Sequence, residues 1–165
     1  MAADESDRWR QWLDRHGPAL VLFARQWSAT RADAEDAVQN GLLKFWRTKD
    51  AAREPLPYLY ACVRTAAMDF GRGERRRDRY EQAIEQPDAA AFEFPVERHE
   101  REAAIETALG QLPGDQREVV VMKIWGGLTF AQIGEALSVP LSTAASRYRY
   151  ALTRLEQELS EEMAS

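Results

Sequence analysis

The strongest constraint on this chain's fold is the residue spacing of its last third. Leu112-Pro113 leads to Arg117-Glu118-Val119. Leu128-Thr129-Phe130-Ala131-Gln132-Ile133-Gly134 follows, and then Val139-Pro140-Leu141-Ser142-Thr143-Ala144-Ala145-Ser146-Arg147. Thr129 with Gln132 three residues later reads as a capping box that fixes a helix start, and so does Asp115 with Glu118. Pro113-Gly114 and Gly126-Gly127 stop the helices before them. The result is two short helices joined by a tight turn, a helix-turn-helix whose second member can enter a DNA major groove. Phe130, Ile133, Leu137, Val139 and Leu141 supply its small core, and Gly134 allows the helices to approach closely. On the second helix, Leu141, Ala144, Tyr148, Leu152, Leu155 and Leu159 make an inward stripe. Ser142, Thr143, Ser146, Arg147, Tyr150 and Arg154 take the opposite face, where hydroxyls and guanidinium groups suit base edges and phosphates. A plain helical hairpin with a solvated polar face would not need the turn, the caps and the arginines together.

The remainder reads as helix. Val119-Val120-Val121 is the only β-branched run, and it lies inside a helical pattern. Residues 6–27 place Trp9, Trp12, Leu13, His16, Leu20, Phe23, Ala24 and Trp27 at helical spacing, with a kink or break expected at Gly17-Pro18. Residues 32–47 carry the stripe Ala34, Ala37, Val38, Gly41, Leu42, Phe45 and Trp46. A loop over 48–55 precedes a third helix, 57–71, that buries Leu56, Leu59, Val63, Ala66 and Phe70. From 80 to 98 the pattern fades into Pro87, Pro95, alanines and acids, the composition of a linker. Four more helices are expected at about 100–111, 115–125, 130–137 and 142–160. The fold class is therefore all-α: two small helical domains, 1–79 and 100–165, joined by a linker at 80–99, the C-terminal one a helix-turn-helix.

Bulk properties narrow the function. A chain of 165 residues holds one ordinary domain or two small ones. It has no apolar run of membrane-spanning length, and the acidic start Met1-Ala2-Ala3-Asp4-Glu5 is unlike a signal peptide. With Cys62 alone there is no internal disulfide and no cysteine zinc site, and only His16 and His99 offer imidazole. A cytoplasmic protein without metal or cofactor is the expectation. A net charge of −5 argues against coating DNA nonspecifically, though not against sequence-specific binding. The charge is uneven. Arg72, Arg75, Arg76, Arg77 and Arg79 crowd one stretch, and Glu81, Glu85, Asp88, Glu93, Glu97, Glu100 and Glu102 dominate the next.

Two further surfaces stand out. The outward face of the second helix carries Asp36, Gln39, Asn40, Leu43 and Arg47. A lone exposed leucine is unremarkable; beside Gln39 and Asn40, Leu43 is equally consistent with the apolar centre of a docking surface. On the third helix, Tyr58, Ala61, Thr65, Met68, Asp69 and Arg72 share a face that Arg75, Arg76 and Arg77 continue. Cations beside an aromatic can hold single-stranded DNA, and a solvated helix end explains the same residues equally well. No catalytic constellation is visible: Asp33, Glu35 and Asp36 are clustered acids with no histidine or cysteine nearby.

These pieces, in this order and spacing, resemble the small two-domain bacterial RNA polymerase sigma factors of the extracytoplasmic-function type. Residues 33–47 resemble the family's polymerase-docking helix, 58–77 its promoter-melting helix, and 112–155 its upstream-element reader. The resemblance implies that Asp36, Gln39, Asn40 and Leu43 contact the clamp helices of the polymerase largest subunit. It implies that the 48–55 loop with Tyr58, Thr65, Asp69 and Arg72 holds the melted minus-ten strand, with Arg75, Arg76 and Arg77 on its backbone. Ser142, Thr143, Ser146, Arg147 and Tyr150 would read the minus-thirty-five duplex. The implied partners are core RNA polymerase, promoter DNA and an anti-sigma factor, and the chain itself would do no catalysis. Departures from the family pattern bear on promoter choice and binding strength: Asn40 replaces a usual acid, Thr65 an asparagine, Gly71 and Gly73 bulkier residues near the end of the melting helix, Ser138 a turn glycine, and Ala145 a lysine. Two other functions fit the same residues: a sigma-like protein that sequesters an anti-sigma factor, and a helix-turn-helix regulator that never docks on polymerase.

Overall fold

The computed structural model describes residues 2–78 and 104–164, and every regular element among them is helical. The expected linker lies outside the described residues. Helix α1, Ala2–Ala24, runs through Pro18 without interruption, so the expected break does not occur. The carbonyl that loses its donor there belongs to Asp14. Both residues face solvent, where water can take the donor's place. A single 3₁₀ turn, Arg25–Trp27, leads to α2, Arg31–Thr48. The Thr30 side chain caps α2 by accepting from the Asp33 N–H at 3.1 Å.

Helix α2 buries Ala34, Ala37, Val38, Gly41 and Phe45. The small residues let α3, Pro55–Asp78, lie close against it. At Gly41 a β-carbon would stand 2.7 Å from the Val63 Cα, so only glycine fits. Helix α3 starts earlier and runs further than expected. Gly71 does not stop it. That glycine is where the helix passes the Trp27 carbonyl, 2.6 Å from where a β-carbon would sit. The core of the module is Leu20, Phe23, Ala37, Phe45, Leu59 and Val63, with the buried Tyr60 ring edge-on to Phe23 at 5.1 Å. Trp46 is not in it: the side chain is 49% exposed. One residue is a rotation of about 100° on a helix, so Phe45 and Trp46 cannot both face α3.

The second module holds α4 (104–110), α5 (Gly114–Val120) continuing into a π turn (Val121–Trp125), α6 (Phe130–Leu137) and α7 (Leu141–Ala164). Val119, Val120, Val121 and Met122 are wholly buried with Leu128, Ile133, Ala144 and Ala151. The Thr129–Gln132 capping box forms in both directions, at 2.9 and 3.1 Å. The Asp115–Glu118 box does not form. Pro113 is the N-cap, Asp115 accepts from the Gln116 N–H, and Glu118 is carried inside. Arg117 secures the end of α4 instead, donating to the carbonyls of Leu109 and Gly110 in its last turn and of Leu112 in the bend that follows. The inward face of α7 is Ala144, Tyr148, Ala151 and Leu155. Leu141, Leu152 and Leu159, expected there, are exposed. The face set by Ala144 and Ala151 is the one α5 and α6 cover, and Leu152 lies one residue's rotation away from it.

The two modules pack on each other, α3 against α6 and α1 against the π turn. Arg64 of α3 donates from Nε to Oε1 of Glu118 at 2.8 Å across this seam. Gln132 donates to Glu54 at 3.2 Å, and Arg25 lies 3.7 Å from Glu106. The Tyr60 ring reaches Gly126, where a β-carbon would stand 2.6 Å from its hydroxyl oxygen.

Candidate functional site

Three surfaces of expected function can be placed. The first is the free face of α2. With Ala34, Ala37, Gly41 and Phe45 turned to the core, Asp36, Gln39, Asn40 and Leu43 face solvent, and Leu43 is 59% exposed. All four lie within two turns, so they form one patch. Trp46 extends it, one turn beyond Leu43. Its ring stands edge-on to Trp9 at 5.8 Å, and the Lys49 ammonium lies over both indoles, at 4.9 Å from Trp46 and 5.3 Å from Trp9. These cation–π contacts hold the indole in place without covering it. A shallow groove beside Trp46, lined by Trp9, Leu13 and Leu42, continues the apolar surface onto α1. Sequence periodicity missed Trp46 by counting it as core. Its exposure is the kind of signal that a large aromatic next to an already sufficient core residue provides.

The second surface is the start of α3 with the loop before it. That loop contains a 3₁₀ turn, Lys49–Ala51. The Thr48 and Tyr58 hydroxyls share a hydrogen bond that ties the turn to α3, and the half-buried Tyr58 ring tilts against Phe45 at 6.0 Å. Tyr58 thus shapes the loop. Thr65 and Asp69 are exposed one turn apart, and the Thr65 hydroxyl donates to the Ala61 carbonyl at 3.0 Å. Arg72, Arg75, Arg76 and Arg77 fall on the last turns of α3, and their side chains lie outside the described residues. Arg64, on the same helix, faces the other module through Glu118 and lies 6.0 Å from the Trp27 ring. Buried Cys62 neighbours this surface. Burial pushes its thiol above the ordinary range, so it stays protonated and unreactive near neutral pH.

The third surface is the N-terminal half of α7. Ser138 takes the left-handed conformation at φ 57°, a place glycine usually fills. The Val139 N–H donates to the Gly134 carbonyl at 2.9 Å, and a β-carbon on Gly134 would press on the Val139 carbonyl at 2.7 Å. The turn is therefore tight, and it sets α7 across α6. Ser142 and Tyr150 are exposed, Tyr150 at 63%, while Thr143 and Ser146 are half-buried. Arg147 departs from its neighbours. Its Nε stands 3.7 Å from Asp115 Oδ2, its side chain is half-buried, and its charge also reaches Glu118. The structure thus groups Ser142, Ser146 and Tyr150 on one accessible face and turns Arg147 toward α5. Arg149, absent from the expected set, is exposed on that face.

Comparison with known proteins follows the same division. Residues 12–77 match the family described as Sigma-70 region 2, and residues 102–155 match Sigma-70, region 4. The chain is 30% identical to the ECF RNA polymerase sigma factor SigL of Mycobacterium tuberculosis, over 97% of this chain and 93% of that protein. It is 26% identical to the ECF RNA polymerase sigma factor RpoE of Cereibacter sphaeroides, over 87% and 81%. Among solved structures, it resembles RpoE in complex with the anti-sigma factor NepR from Bartonella quintana, with a TM-score of 0.65, 25% identity, and 93% and 97% of the two chains covered. It shares the fold of CnrH in complex with the cytosolic domain of CnrY, with a TM-score of 0.68, 21% identity, and 94% and 90% covered.

Proposed function

The chain belongs to the extracytoplasmic-function sigma factors of RNA polymerase, and we propose from that premise how its surfaces divide the work. As a sigma factor it binds core RNA polymerase and directs promoter-specific initiation of transcription. The first module, residues 1–79, docks on the polymerase through Asp36, Gln39, Asn40 and Leu43, and holds the melted minus-ten strand with the 48–55 loop, Tyr58, Thr65, Asp69 and the arginines from Arg72 to Arg77. The second, residues 100–165, reads the minus-thirty-five duplex with the face of Ser142, Thr143, Ser146 and Tyr150, while Arg147, expected beside them, is held toward Asp115 of α5. Residues 80–99 link them. The chain supplies recognition, and the polymerase supplies the chemistry, so the chain is not itself an enzyme. No helix of the described residues is long and apolar enough to cross a membrane. We place the protein in the cytoplasm, where polymerase and promoter meet, with an anti-sigma factor as its third partner.

One observation carries the docking assignment: a leucine that the core does not need is more than half exposed at the centre of a polar patch. The packed modules must also part on the promoter. Elements about 25 base pairs apart are separated by about 85 Å of B-DNA. A folded chain of this length has a radius of gyration of only about 15 Å. The 25 residues between the described parts can extend at most about 85 Å, enough to bridge the gap with the modules at either end.

The test is run-off transcription from genomic fragments with core polymerase and the full chain. Specific transcripts are expected. Leu43→Asp should abolish polymerase binding while leaving the helical circular-dichroism signal and melting temperature unchanged. Loss of that signal would mean the residue is structural. Polymerase binding without transcripts would weaken this reading, and duplex binding without polymerase contact would favour a plain regulator.

A further inference from the structure

We propose that Arg149, not Arg147, is the arginine with which α7 reads a base edge, and that the base is a guanine of the upstream duplex. The proposal rests on the reading of α7 as the duplex-binding helix and adds the residue and base that give it specificity. Arg147 is already engaged. Its guanidinium lies 3.7 Å from Asp115 and within the field of the buried Glu118, on the side of α7 that faces α5. Turning it to DNA would strip two acids of a cation, one of them inside the protein.

Arg149 has no such obligation. It is exposed, and among the described residues it makes no ion pair. Its contacts lie on the outward face itself. Nη2 donates to Ser146 Oγ at 3.3 Å, and the guanidinium carbon stands 5.9 Å from the centre of the Tyr150 ring. Ser142, Ala145, Ser146 and Arg149 are three, four and seven residues apart and share one face. Helical side chains lean toward the N-terminus, so a long side chain at 149 covers the turn before it. That turn carries Ala145, whose methyl group leaves the surface open. The guanidinium can therefore lie across position 145 toward Ser142, near the helix start where a recognition helix meets base edges. The cation missing at 145 is supplied from one turn further along.

The chemistry selects the base. A guanidinium offers two parallel N–H donors, which match O6 and N7 of guanine in the major groove and no other base equally well. The Tyr150 ring beside it narrows the side chain's freedom before binding. Ser146 orients the fork in the free protein, and its hydroxyl becomes available to a phosphate or neighbouring base when Arg149 moves to guanine.

The experiment uses holoenzyme formed from the full chain and core polymerase. The probe is a promoter fragment found by run-off transcription, with six base pairs of its upstream element randomised, bound and sequenced. The wild type should enrich a motif containing a guanine. Arg149→Ala should flatten that one position about tenfold and keep the rest of the motif. Arg149→Lys, which keeps the charge but lacks the fork, should flatten it nearly as much. Arg147→Ala should keep the guanine and lower the melting temperature. Replacing the selected guanine by 7-deazaguanine should weaken the wild type about tenfold and leave Arg149→Ala unaffected. An unchanged motif in Arg149→Ala, or loss of the guanine in Arg147→Ala alone, overturns the assignment. If the wild type enriches no motif at all, the reading of α7 as a duplex reader falls first and this proposal with it.

Discussion

The seam between α2 and α3 and the seam between the two modules are both buried and both apolar at heart, yet only the second has charged and polar groups set into it. Within the first module the contact is apolar and shape-determined: Ala34, Ala37 and Gly41 let α3 approach until the Gly41 backbone meets Val63, and Phe45 fills what remains. Between the modules the apolar core continues, with Tyr60 against Gly126, but polar groups are set into it and incompletely satisfied. Arg64 reaches a 5%-exposed Glu118, Gln132 meets Glu54, and the buried Tyr60 hydroxyl makes no hydrogen bond. Apolar close packing has no lower-energy alternative in water. A buried ion pair does, because both partners regain hydration when they separate. The first seam is therefore built to hold, while the second carries polar groups that regain water when it opens.

The largest effect should come from the first seam. Gly41→Val puts a branched side chain where Val63 backbone already stands 2.7–2.9 Å from the β-carbon. A clash with backbone cannot be relieved by a rotamer change. A loss of about 3 kcal/mol is expected, read as a fall of roughly 10 °C in melting temperature. Polymerase binding should fall with it, since α2 carries the docking face. A Gly41→Val protein that melts like the wild type would show that this seam, too, can give.

The next effect separates the seams. Arg64→Ala leaves the Glu118 carboxylate buried without its hydrogen-bonded partner, a cost of about 3 kcal/mol if nothing moves. Opening the modules rehydrates Glu118 and caps that cost. Small-angle scattering should therefore report a larger radius of gyration for Arg64→Ala, with helix content retained. The comparison breaks if the radius stays constant while the melting temperature drops, because the modules would then be a single cooperative body.

Which parts of this were legible in the sequence depends on how far apart the partners lie. The α2 stripe could be read because its core face repeats at the helical period, and the Thr129–Gln132 box because its members are three residues apart. The Asp115–Glu118 pair has the same spacing and failed, because Glu118 is claimed by Arg64, 54 residues earlier. Tyr60 lies beside the expected stripe of α3, and it is buried because the other module covers it. Arg147 and Arg149 look alike in sequence; Asp115 distinguishes them, and only the packing of α5 on α7 brings it near. Trp46 was misplaced for a related reason. Hydrophobicity marked it as core, while one residue's rotation and the Lys49 cation gave it a surface position.

The smallest effect concerns the charge on Glu118, and its sign is diagnostic. Burial raises the carboxyl's pKa above the ordinary value. The Arg64 hydrogen bond and charge, with Arg147, pull it partly back, and Asp115 pushes it up further. Desolvation wins, so the folded chain holds this proton more tightly than the unfolded chain does. The stabilisation linked to that proton is complete below the unfolded value of about 4.3 and is lost as pH rises through the folded value. Ordinary paired carboxylates behave in the opposite way, losing stability as pH falls. Chemical denaturation of the wild type and of Glu118→Gln across this window isolates the difference. Relative to the glutamine variant, the wild type should lose stability as pH rises, and the difference should level off once Glu118 is ionised. A wild type that instead gains on the variant with rising pH would mean the Arg64–Glu118 pair outweighs its own desolvation. The seam between the modules would then be a fastening as firm as the one between α2 and α3.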